Sequence, residues 1–60
     1  MRGWKTWKLH DRVLFVCKEF GVPISYFGEV TEIRPDHLIA ICNGMRCWVD
    51  DDTQPMFKKL

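Results

Sequence analysis

The stretch His37-Leu-Ile-Ala-Ile-Cys-Asn-Gly-Met-Arg-Cys-Trp-Val-Asp50 decides how this chain folds. Asn43 and Gly44 both tolerate positive φ, and a two-residue turn of that kind suits the right-handed twist of the strands it joins, so a type I′ hairpin is expected here. The turn then sets the register: Cys42 faces Met45, Ile41 faces Arg46, Ala40 faces Cys47, Ile39 faces Trp48, Leu38 faces Val49 and His37 faces Asp50. Opposed residues share a face and successive pairs alternate. One face therefore carries Leu38, Ala40, Cys42, Met45, Cys47 and Val49, is uniformly apolar, and is expected to line the core. The other carries His37, Ile39, Ile41, Arg46, Trp48 and Asp50, with charges at both ends and an Ile-Ile-Trp centre.

Upstream, Arg12 to Lys18 is a β-branched and aromatic run of strand length, and Gly21, Pro23 and Ser25 predict a loop over residues 18–25. Tyr26 to Arg34 is a second strand with an internal conflict, because Val30 and Ile33 are three apart and a flat strand cannot point both at one core. A bulge at Thr31 and Glu32, with Gly28 allowing a bend, resolves it. Pro35-Asp36 supplies the next turn. Downstream, the stacked carboxylates and proline of Asp50-Asp51-Asp52-Thr53-Gln54-Pro55 oppose ladder pairing and predict a capped turn or one turn of 3₁₀ helix. Met56 to Leu60 then returns as a short closing strand.

A first strand, a loop at 18–25, a bent strand carrying Gly28-x-Val30-x-x-Ile33, a tight hairpin, and Trp48-Val49-Asp50 before a helical turn and a closing strand resemble the Src-homology-3-like small barrel. Tudor, KOW-type and retroviral-integrase C-terminal domains are similar in layout. The resemblance covers residues 12–60 and implies an all-β, five-stranded, partly open barrel, with residues 1–11 as an N-terminal basic and aromatic arm. It implies no ligand. The loop Lys18 to Ser25 lacks the acidic cluster of peptide-binding Src-homology-3 domains, and Tyr26, Phe27 and Trp48 are all that a Tudor-like aromatic cage has to draw on.

Sixty residues with 47% hydrophobic content make one small domain, too short for a second core. Nine Lys and Arg against eight Asp and Glu are too balanced for a domain that binds chiefly by neutralising phosphates. The charge is uneven, however: residues 1–12 carry Arg2, Lys5, Lys8 and Arg12 against Asp11 alone, whereas residues 13–60 carry five cations and seven anions. Cys17, Cys42 and Cys47 do not form the even framework of a small secreted scaffold and are expected to be reduced thiols in a cytoplasmic protein. No apolar run approaches the length of a membrane span, and the charged first eleven residues do not read as a signal peptide.

Each candidate site has a plain structural counterpart. Cys42 and Cys47, with His10 or Cys17, offer soft metal ligands, but thiols on a core face behave as small hydrophobes, so no metal or other cofactor is expected. His37 opposite Asp50, with Cys17 or Ser25 as nucleophile, is a loose catalytic constellation; a cross-strand ion pair is the simpler reading, and no enzyme activity or small-molecule substrate is expected. Asp50 to Asp52 lack the ligand spacing of a calcium loop. In the arm, Arg2, Trp4, Lys5, Trp7, Lys8 and Arg12 have the cation and indole interleaving that suits nucleic acid, yet the two indoles also suit burial over an open barrel end, and the near-neutral total charge favours that packing reading. The outer hairpin face, Trp48 with Ile39, Ile41 and Arg46, has the composition of an interaction hot spot. The expected function is thus a non-catalytic protein-interaction module, an adaptor or inhibitor that binds a partner or a second copy of itself through that face. The alternative is a nucleic-acid-binding barrel using the arm.

Overall fold

The computed structural model describes residues 3–60. Its five strands are β1 (Arg12–Glu19), β2 (Val22–Ile33), β3 (Leu38–Cys42), β4 (Met45–Val49) and β5 (Phe57–Lys59), with one-turn 3₁₀ helices at Trp4–Thr6 and Gln54–Met56. All pairings are antiparallel in one sheet of order β4-β3-β2-β1-β5. This is the expected all-β, partly open small barrel.

The β3–β4 hairpin has the expected register at all five strand pairs, from Leu38 opposite Val49 to Cys42 opposite Met45. Asn43 at φ 51° and Gly44 at φ 78° make the turn. The bulge falls at Thr31: Val30 pairs with Ala40, and the next pair is Glu32 with Ile39. That extra residue puts Val30 and Ile33 on one face, although Val30 is fully buried while Ile33, at the strand end, stays half exposed.

β2 is long because it serves two partners in succession. Its first part, Val22 to Glu29, pairs with β1, and its last, Gly28 to Ile33, pairs with β3. The handover at Gly28 needs glycine, since a Cβ there would collide with Cys42 Sγ and lie 2.6 Å from the Ile41 carbonyl oxygen. The loop expected over 18–25 is not present. β1 continues to Glu19, β2 begins at Val22, and Phe20 (φ 52°) and Gly21 (φ 77°) form a second tight turn. Pro23, which suggested a loop, is tolerated inside this strand because β2 has no neighbour on its other side before Gly28, so no ladder hydrogen bond is forfeited.

The core is built from Val13, Val30, Leu38, Ala40, Cys42, Val49 and Phe57, joined by Trp4 and Trp7 from the N-terminal segment. Phe15 extends it, with ring centroids 5.0 Å from Phe57 and 6.4 Å from Tyr26. The segment is anchored by polar contacts as well. Trp4 Nε1 donates to Asp51 Oδ1 at 2.8 Å, the Trp4 amide donates to Gln54 Oε1 at 3.1 Å, and the His10 amide donates to the Val30 carbonyl at 2.8 Å. Two expectations about the hairpin faces are corrected. Met45, on the core face, is exposed because it sits on an edge strand beside the turn, beyond the reach of the core. Ile39, on the opposite face, is buried, as taken up below.

Candidate functional site

The outer face of β3 and β4 is organised around Trp48. Its position opposite Ile39 turns the indole away from the core, and 51% of the residue is exposed. The ring is held from two directions. His37 stacks on it with centroids 3.5 Å apart and planes inclined by 7°, and Trp48 Nε1 donates to Asp50 Oδ2 at 2.9 Å. Asp50 is itself fixed, because its Oδ1 accepts the amides of Asp52 at 2.9 Å and Thr53 at 3.0 Å. These backbone hydrogen bonds, the Thr53 amide foremost, hold the Asp50 carboxyl below the usual carboxylate range. The indole is thus clamped between a turn and an imidazole before any partner arrives.

Around the indole, Arg46 reaches Glu32 Oε2 at 2.6 Å, and Arg34 approaches Glu32 Oε1 at 3.3 Å. The Arg46 hydrogen bond is the main reason the Glu32 carboxyl lies below its ordinary value. Ile41 is half-buried beside them. Ile39 does not belong to the exposed surface: at 3% exposure, it lies between Glu32 and Trp48 in the cross-strand row and forms the floor beneath the site. Sequence alternation assigned its face correctly but could not show how deeply it is buried on that face.

The His37–Asp50 pairing is not formed. His37 Nδ1 instead lies 2.7 Å from Asp36 Oδ1, a hydrogen bond that lowers the Asp36 pKa, while Asp50 is occupied with Trp48 and the turn. The arm residues divide. Trp4 and Trp7 are buried in the core, as the packing reading of the arm expected, and expose little ring surface. Lys5 lies with its Nζ 5.8 Å from the Trp4 ring centroid, Lys8 and Arg12 are exposed, and Arg2 lies outside the described residues. Cys42 is buried, and burial pushes its thiol up to about 11, with Cys47 beside it adding to the shift. Among the described residues no three His, Cys, Asp or Glu side chains converge as a metal site. Nor is any helix there long and apolar enough to cross a membrane.

Fold and site together define a small all-β domain with a clamped, half-exposed tryptophan on its outer face. No family model, curated protein or solved structure matches the chain.

Proposed function

We propose that this domain is a non-catalytic protein-interaction module whose contact surface is centred on Trp48, with Arg46 and Ile41 at its border and Ile39 as its floor. The observation that supports the reading most directly is the clamp on the indole by His37 and Asp50. A ring already held in place loses little rotamer freedom on binding, which is a principal cost of association. Half of it remains in water, so a partner that covers it gains burial of a large apolar surface. The mechanism is occupancy of a partner's surface. The nucleic-acid alternative loses its stacking half with the burial of Trp4 and Trp7.

The test is capture of a partner from the native host, followed by titration of the purified pair with wild-type protein and with Trp48→Ala. Truncation of a central aromatic anchor is expected to cost at least about 2 kcal/mol, roughly thirtyfold in Kd. A captured partner that binds Trp48→Ala as tightly as wild type removes the site from consideration.

A further inference from the structure

A second surface lies on the same outer side of the sheet, further toward β1 and β5. The Leu60 amide donates to the Arg12 carbonyl at 2.9 Å, Arg12 pairs with Glu29, and Glu29 pairs with Ile41. One cross-strand row therefore reads Leu60, Arg12, Glu29, Ile41 and, on the edge strand β4, Arg46. The adjoining row on the same face reads Lys58, Leu14, Phe27. Arg12, Phe27, Glu29, Ile41 and Leu60 border one open groove of about 620 Å³. Phe27 is 74% exposed within it, an unusual position for a phenylalanine in mid-strand.

The four members on β5, β1, β2 and β3 have a particular symmetry: apolar, cation, anion, apolar; Arg46, on β4, falls outside the overlap and is held by Glu32. Turned over about an axis parallel to the strands and above the β1–β2 seam, this set of four is complementary to itself. Arg12 of each copy then faces Glu29 of the other, Leu60 faces Ile41, and Leu14 faces Phe27. We propose that this chain forms a two-fold symmetric dimer through this face, two sheets packing across it as in a sandwich. Symmetric dimers use one patch on both subunits, and such a patch must be self-complementary in this way. Aligned sheets pack about 10 Å apart, a separation that side chains of this size fill.

Charge selects this occupant over others. The groove carries one cation and one anion at its centre, which disfavours a polyanion and gives no preference to a peptide of single sign. Among the described residues Arg12 makes no ion pair, and Glu29 engages only Oε2, toward His10 Nδ1 at 2.8 Å. A face only four strands wide lies at the low end of interface sizes, below about 1,200 Å² in total, so the dimer is weak.

Sedimentation equilibrium of the full chain from micromolar to millimolar concentration tests this. A reversible monomer–dimer equilibrium is expected. Arg12→Glu and Glu29→Arg should each weaken it by about tenfold or more, because like charges then oppose each other twice across the interface. An equimolar mixture of the two variants should recover dimerisation as a heterodimer, since both facing pairs are again opposite in sign. Phe27→Ser, whose wild-type ring is exposed in the monomer, should weaken the dimer without unfolding the chain, as circular dichroism would show. Trp48→Ala should dimerise like wild type, which separates this face from the contact surface proposed above. A chain that remains monomeric at millimolar concentration, single reversals without effect, or a mixture as weak as its components would each overturn the proposal.

Discussion

Phe20→Asn should make this protein more stable, although it replaces a large apolar residue with a polar one. Phe20 occupies the first position of the β1–β2 turn at φ 52°, in the left-handed region where an ordinary side chain costs roughly 1–2 kcal/mol. The usual reason to keep a phenylalanine is burial, and none is present, since the residue is 103% exposed. Asparagine relieves part of the backbone cost because its short polar side chain hydrogen-bonds locally. The other hairpin supplies an internal comparison: Asn43 holds the same turn position at φ 51°. The expected gain is about 1 kcal/mol, a rise in Tm of about 4–8 °C for a domain of this size. Asn43→Phe should lose a similar amount. Urea unfolding followed by tryptophan fluorescence would measure both, with the midpoint moving and the slope unchanged. A neutral or destabilising Phe20→Asn would mean that the aromatic ring makes native contacts, and the strain argument would be wrong.

Further consequences concern the bend, the indole clamp and the thiol. Gly28→Ala should cost about 1–3 kcal/mol in urea, because its Cβ must displace either Cys42 or the β3 backbone; a change below a few tenths would show that the handover is looser than its geometry. Asp50→Asn should flatten the acid limb of the stability curve. The folded Asp50 carboxyl is held below its ordinary pKa, so its contribution is complete above about pH 4 and is lost as the pH falls through the folded value; equal acid sensitivity in the variant would contradict this. In alkali the sign reverses. The Cys42 thiol is raised to about 11 in the folded state, so the unfolded chain releases its proton first and stability falls as pH rises from about 8.5 toward that value. Cys42→Ala, less stable at neutral pH through its lost packing, should show a shallower alkaline decline in the same urea assay.

Much of the architecture was legible in local chemistry. Asn43-Gly44 specifies its turn through backbone φ, and the turn specifies the pairing of β3 with β4, so the outward direction of Trp48 follows from residues 37–50 alone. The bulge at Thr31 was legible as a conflict between strand period and apolar spacing, and the 3₁₀ turn after Asp52 as an inability of carboxylates and proline to continue a ladder. The Phe20-Gly21 turn was obscured because Pro23 is a loop signal until one knows that the strand has a free side there.

The site itself needed the third dimension. Alternation tells which face a residue occupies but not how deeply it is buried there: Ile39 is enclosed and Met45, on an edge strand, is exposed, each against its face. Trp4 and Trp7 carry the same basic and aromatic spacing whether they stack on bases or fill a barrel end, and only the position of the segment against Asp51, Gln54 and the core separates the two. His37 likewise stacks on Trp48 instead of pairing with Asp50 because the turn captures that carboxylate. The row Leu60, Arg12, Glu29, Ile41 joins residues from four separate parts of the chain. Hairpin rules reach between strands adjacent in sequence; the order in which β5 returns beside β1 is set by closure of the core, and that closure is a property of the whole fold.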